Sequence, residues 1–288
     1  MGVAARSPGS ESAPLVCEPI FVFVGGLHRS GTSLIARCLA DHADASGFSQ
    51  TGAEEDEGQH LQSVYPTAER FGGPGRFGFA SAMHVTERSP LVTEANRQSL
   101  LQEWGRYWDD DRRFLIEKSP PNLLKTRFLQ AIFPTAHFVI VLRHPIATAL
   151  ATKKWSGTRV GELIEHWLVS NEKMVADIVH LRHVELVRYE DFTADAGGEL
   201  ARLQVFLGME PSACRLQTRK GLNDDYFAGW RAMRHSPGGA LRQRLLVHRY
   251  EERVAALGYS LRDPERLVER DRWIGKLPVV GKPPVDLT

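Results

Sequence analysis

Five consecutive residues, Arg29, Ser30, Gly31, Thr32 and Ser33, follow a strand-like run and two glycines, Gly25 and Gly26, and open a helical pattern. A strand that turns through glycine into a helix aims several backbone N–H groups and the positive end of the helix dipole at one spot. Such a spot binds a phosphate-like anion. Loops of this kind that hydrolyse nucleotides carry lysine directly after the second glycine, then Ser or Thr for magnesium. Here Thr32 takes the lysine position, and the cation is Arg29, two residues before Gly31. Arginine forks onto two anion oxygens without a metal. Two more cations stand at strand ends: Lys118 closes "FLIEK", and Arg143 follows "HFVIVL" just before "HP". Ligands of parallel sheets collect at that edge.

Short β-branched runs alternate with longer helical patterns, which predicts an α/β fold, a central parallel sheet with helices on both faces. The strands are expected at Ile20–Val24, Arg113–Ile116, His137–Leu142 and Val184–Arg188. Helices are expected at Ser33–His42, Pro121–Ile132, Pro145–Lys154, Asp195–Leu207, over 160–182 and at Ala240–Leu257, the last capped by Gly258. Between His42 and Glu94 the periodicity fails, although the stretch is rich in glycine, charge and aromatics. Residues 43–110 therefore read as an insertion facing the substrate. Residues 1–18 read as a flexible leader, 19–288 as a single domain and 215–240 as a closing loop.

"GGLHRSGTSL" resembles the 5′-phosphosulfate loop of sulfotransferases that use 3′-phosphoadenosine 5′-phosphosulfate, a three-layer α/β/α fold of the P-loop type. More narrowly it resembles the tyrosylprotein-type branch, which has arginine before Ser-Gly-Thr. "EKSPPNLLKTRFLQAIFPTAHFVIVLRHPIATALA" is similar to that branch's central segment, "VRYEDF" to its nucleotide-contacting segment, and "RKGLNDDYFAGW" to the loop closing over adenosine. The resemblance runs from about residue 20 to 260 and is weakest across 43–110.

The resemblance implies that Arg29, Ser30, Gly31, Thr32 and Ser33 hold the 5′-phosphosulfate. It implies that Arg143 grips the 3′-phosphate, and that Tyr189, Arg219, Lys220 and Asn223 contact the nucleotide. It makes Lys118 the catalytic cation. Pro120 stands where phenol and steroid sulfotransferases have their catalytic histidine, so the base is expected from the acidic run "TGAEEDEGQH": Glu57 first, Glu55 next, His60 as helper or substitute. The family's serine eight residues after the 3′-phosphate arginine is Ala151 here, with Thr148 and Thr152 as neighbouring hydroxyls. His144, held by Pro145 at a turn, is expected to pack rather than react. Trp155, Trp167 and Trp230 are expected in core or lid, with Trp230 the better lid residue.

Composition sets the remaining bounds. Charges nearly cancel at a net +1, which argues against a dedicated nucleic-acid binder. Cys17, Cys38 and Cys214 show neither paired nor metal-like spacing. They are expected to be reduced, with Cys38 in the core. No apolar run reaches the roughly 18 residues of a membrane span, so a cytoplasmic protein without metal is expected. Its acceptor is expected to be a small molecule, glycan or lipid. A P-loop kinase and a non-catalytic nucleotide-binding protein are the alternatives weighed against this reading.

Overall fold

The run "IFVFVGG" is apolar at every position up to its glycines, so a strand made of it must be covered on both faces. In the computed structural model, which describes residues 18–216 and 221–274, it forms β1 (Ile20–Gly26) at the centre of a five-stranded sheet. The order is β2-β3-β1-β4-β5, every pairing is parallel, and the partners are β2 (Ala45–Gly47), β3 (Phe114–Lys118), β4 (His137–Leu142) and β5 (Val184–Arg188). Phe21 and Phe23 pack into one apolar cluster with Phe138 and Ile140. Val22 and Val24 pack into a second with Val139 and Val141. These two clusters are the two faces of the sheet, and they make the fold three-layered.

The second face is covered by α1 (Thr32–Ala40), which contributes Ile35 and Leu39, and by Leu200 and Leu203 of a later helix. The first face is covered by α2 (Glu94–Trp104), α3 (Thr126–Ile132), α4 (Pro145–Ser156) and α5 (Val160–Ile178). After β5 come α6 (Tyr189–Ala194), α7 (Ala196–Leu207), α8 (Asp224–Ala232), α9 (Gly239–Ala256) and α10 (Arg270–Ile274). Asp195 caps α7 by accepting from the Gly198 N–H at 3.0 Å, as an N-cap aspartate should.

The four expected strands are present, extended at the C-terminal ends of β1 and β3. The fifth, β2, lacks a sequence signal because it is only Ala-Ser-Gly at an edge. The helix expected over Pro121–Ile132 is a 3₁₀ turn, Pro120–Leu124, followed by the shorter α3, since adjacent prolines each lack an N–H. Residues 43–110 hold β2, five 3₁₀ turns and α2, so this region is built of short turns rather than being structureless. Among the described residues no helix is long and apolar enough to cross a membrane.

Register aligns the chemistry. Val24 of β1 lies opposite Lys118 of β3, and Gly26 lies opposite Val141 of β4, two residues before Arg143. Strands β3 and β4 flank β1 on opposite sides, and the chain runs from one to the other. The loop after β1 therefore sits where the winding of the sheet reverses, the usual ligand crevice.

Candidate active site

The cradle is built first. Leu27–Ser30 turn, the Ser30 N–H reaching the Leu27 carbonyl at 3.0 Å, and Gly31 leads into α1 with φ 103°. A side chain there would also place its Cβ 2.4 Å from the Tyr189 ring. Glycine is thus required by backbone conformation and by contact alike. Arg29 is also left-handed, at φ 69°, which turns its side chain outward over Trp155, 4.4 Å from the ring centroid. Trp155 is 54% exposed and lines the cavity, so it is not a core residue.

A cavity of about 390 Å³ opens above the cradle, lined by Arg29, Gly31, Thr32, Ser33, Arg143 and Tyr189 among others. Ser30 is buried away from that lining, and its hydroxyl has no hydrogen-bond partner among the described residues. Arg143 is only 7% exposed and is tightly held. Its Nε donates to Asn223 Oδ1 at 2.9 Å, Nη1 to the Arg29 carbonyl at 2.8 Å and Nη2 to the Leu222 carbonyl at 3.4 Å. Tyr189 and Tyr226 stack on the guanidinium at 4.3 and 5.5 Å. Burial lowers its pKa from the usual arginine value, opposed by Tyr189 and Glu190.

Behind Asn223 stands Glu190, which accepts from Asn223 Nδ2 at 2.7 Å, from the His144 N–H at 2.9 Å and from Tyr259 Oη at 3.1 Å. Burial raises its pKa. His144 is fully buried, accepts the Ile146 N–H on Nδ1 and uses Nε2 toward the Ser260 carbonyl. It packs as expected, capping α4. Burial pushes its pKa down to about 3.

The second cluster joins β3 to the turns of residues 54–60. Lys118 Nζ donates to Glu57 Oε1 at 3.1 Å and to the Glu55 carbonyl at 2.8 Å. Glu57, 5% exposed, also accepts from Gln59 Nε2 at 2.6 Å and lines the cavity. Burial raises its pKa above the ordinary 4.5, with Lys118 and Gln59 opposing. That is the environment of a carboxylate prepared to accept a proton nearer neutrality. Glu55 lines the same cavity but is exposed. Lys118 itself lines a smaller adjoining cavity of about 40 Å³ that shares Ser33 and Glu55.

The position of Glu57 is fixed from below. Gly58 lies against Glu117, where a Cβ would come within 2.4 Å of Oε1. The Gly58 carbonyl accepts Trp104 Nε1–H at 3.0 Å, and the Gln59 N–H reaches Ser119 Oγ at 2.9 Å. Ser119 Oγ and Asn122 Nδ2 both donate to the buried Glu117 carboxylate. Burial lifts that carboxylate to a pKa of about 7.

Several expectations change. His60 lies 3.9 Å from Glu57 Oε2 and does not line the cavity. Thr148 and Thr152 turn to a separate small cavity with His28 and His166. Thr148 Oγ1 bonds the Arg143 carbonyl, and neither threonine lines the cavity that Arg143 lines. Ala151 is buried one turn before Trp155. Trp230 is fully buried and donates to the Leu261 carbonyl at 3.0 Å; it is a core residue rather than a lid. Trp167 is core, as expected. Residues 215–240, read as a loop, contain α8. Arg219 and Lys220 lie outside the described residues.

The sequence did not point to Tyr226 or Glu190, because each matters through a partner far along the chain, nor to Gln59, whose amide donates to Glu57 two residues away. His28 was missed too. It lines the cavity with its Nδ1 buried and unpartnered among the described residues, and burial lowers its pKa to about 3.

Comparison with known proteins finds relatives of this chain. A family model described as "Sulfotransferase family" matches residues 19–213. The nodulation protein NoeE of Sinorhizobium fredii (strain NBRC 101917 / NGR234) is 23% identical over 232 residues, covering 67% of this chain and 51% of that protein. The chain thus spans about half the length of that curated relative. A crystal structure of a sulfotransferase from Mycobacterium tuberculosis H37Rv is 17% identical with a TM-score of 0.44, covering 74% of this chain and 72% of that one. A sulfotransferase from Alicyclobacillus acidocaldarius is 19% identical with a TM-score of 0.45, covering 83% and 97% respectively. The narrower likeness to the tyrosylprotein branch rests only on sequence features such as Arg29 and Pro120.

Proposed function

The chain belongs to the sulfotransferase family, and on that premise we propose that it moves a sulfonate group from 3′-phosphoadenosine 5′-phosphosulfate, in the cytoplasm and without a metal, to a hydroxyl or amine of a small-molecule, glycan or lipid acceptor. The observation that carries this reading is the pairing of buried Glu57 with Lys118 at 3.1 Å, beside a cavity lined by both the glycine cradle and Arg143.

The donor supplies an activated sulfur whose departure leaves charge on a 5′-phosphate. Transfer of such a group passes through a loose transition state, so positioning and charge stabilisation dominate. The residues fit that demand. The N–H groups at the start of α1, with Arg29 beside them, neutralise the 5′-phosphosulfate. Arg143 reads the 3′-phosphate, with Asn223 fixing its plane and Tyr189 stacked on it. The resemblance also assigns Arg219 and Lys220, which lie outside the described residues, to the nucleotide.

Glu57 takes the proton of the attacking hydroxyl as the new S–O bond forms. Lys118 stabilises the oxygen left on the 5′-phosphate as the old S–O bond breaks. In the resting arrangement these two side chains bind each other, which compensates the buried carboxylate. The burial of Glu57 supports it over Glu55 as the base.

Calorimetric titration tests the donor assignment. 3′-Phosphoadenosine 5′-phosphate is expected to bind in chelator-treated buffer, with ATP and magnesium binding far more weakly. Tight, magnesium-dependent ATP binding with no bisphosphate binding would instead identify a kinase.

A further inference from the structure

Cys38 and Cys214 are 176 residues apart in sequence, yet their sulfurs lie 2.8 Å from each other. Cys38 is in the last turns of α1, buried against the second apolar cluster. Cys214 is half-buried at the edge of that cluster. The contact is one of several that seat residues 210–216 along α1. His42 Nε2 meets the Glu210 carbonyl at 2.8 Å, and the Arg215 N–H donates to Asp41 Oδ2 at 3.0 Å. Gln204 exchanges hydrogen bonds with Ser212, at 2.8 Å to its N–H and 3.0 Å to its Oγ. The segment is held on both sides of Cys214, so the two sulfurs meet in a supported geometry.

We propose that Cys38 and Cys214 are a disulfide-forming modification site, oxidised by low-molecular-weight disulfides. Cys214 is the more exposed sulfur and reacts first. Its thiolate attacks one sulfur of the small disulfide, the small S–S bond breaks, and one small thiolate leaves. The Cys38 thiolate then attacks Cys214 Sγ in the mixed disulfide and expels the second small thiolate. Two electrons pass from the protein thiols to the small disulfide, and the two thiol protons end on the released small thiols. Burial holds the Cys38 thiol above the ordinary cysteine range, so the second step quickens as pH rises.

The product closes a loop of 176 residues and staples the cradle helix to the segment after α7. A crosslink over so long a loop restricts the unfolded chain strongly. The consequence is independent of which nucleotide or acceptor the protein takes.

The test uses the full chain and its Cys17→Ser and Cys214→Ser variants, each exposed to oxidised glutathione at mildly alkaline pH and then digested without reductant. Wild type and Cys17→Ser are expected to yield a Cys38–Cys214 crosslinked peptide. They are also expected to show a Tm raised by about 5 °C or more and reversed by dithiothreitol. Cys214→Ser should give neither. Arrest as a glutathione adduct on Cys214, a bond to Cys17, or an unchanged Tm in a crosslinked protein would each overturn the proposal.

Discussion

Replacing Arg143 with alanine should remove recognition of one phosphate while sparing the rest of the nucleotide. A guanidinium offers five N–H donors. In this protein Nε–H goes to Asn223, one Nη1–H to the Arg29 carbonyl and one Nη2–H to the Leu222 carbonyl. One donor remains on each terminal nitrogen, the fork that fits two oxygens of a phosphate. Two charge-assisted bonds at about 1.5 kcal/mol each give about 3 kcal/mol, roughly 150-fold in affinity. The assay is calorimetry at fixed ionic strength with two ligands, the 3′,5′-bisphosphate and 5′-AMP, on wild type and Arg143→Ala. Wild type should prefer the bisphosphate by about that factor, and the variant should lose the preference while binding 5′-AMP nearly as before. Arg143→Lys keeps the charge but loses the fork, and should recover less than half of the preference. An equal loss for both ligands would refute the reasoning, because Arg143 would then be supporting the fold of the site rather than reading the 3′-phosphate.

Three further outcomes are expected. Glu57→Gln should lower turnover by about 10²- to 10⁴-fold with bisphosphate affinity little changed. The acid limb of the wild-type rate profile should lie above pH 4.5, since burial raises the Glu57 pKa; a lost affinity with an unchanged rate would count against the base assignment. Gly31→Ala should cost about 3 kcal/mol in thermal or denaturant unfolding, because it combines a left-handed φ of 103° with a 2.4 Å approach to Tyr189; a neutral substitution would mean that the loop relaxes freely. Glu117 binds its proton more tightly folded than unfolded, with its pKa raised from 4.5 to about 7. Its contribution is therefore present below pH 4.5 and lost as pH rises through 7, a swing on the order of 3 kcal/mol. Glu117→Gln should remove that slope, so wild type should lose ground to the variant between pH 5 and 8 in denaturant titrations; a difference constant with pH would exclude it.

The inner strands were legible because both faces of this sheet are buried, which forces continuous apolar runs such as "IFVFV" and "FVIVL". The edge strand Ala45–Gly47 was not, since three small residues carry no such pattern. The cradle and the strand-end cations Lys118 and Arg143 could be read locally, their positions being set by a strand, a turn and a helix adjacent in sequence. The burial of Glu57 could not. It depends on Gly58 resting on Glu117 and on Trp104 binding the Gly58 carbonyl, 46 residues away. The same limit hid Glu190 behind Asn223 and the Cys38–Cys214 contact. It also led Trp230 to be taken for a lid residue, when its indole is turned inward to Leu261.

The central claim is sulfonate transfer from the adenosine donor, and it is tested most directly with 3′-phosphoadenosine 5′-phospho[³⁵S]sulfate. The wild-type protein and Lys118→Ala would be incubated with a panel of hydroxylated small molecules, glycans and lipids in the presence of a chelator. The account predicts label transferred to at least one acceptor by the wild type, with the 3′,5′-bisphosphate released in equal amount and transfer by Lys118→Ala reduced at least about 100-fold. Equal transfer by the two proteins would contradict the assigned chemistry. So would donor binding without transfer to any class in the panel.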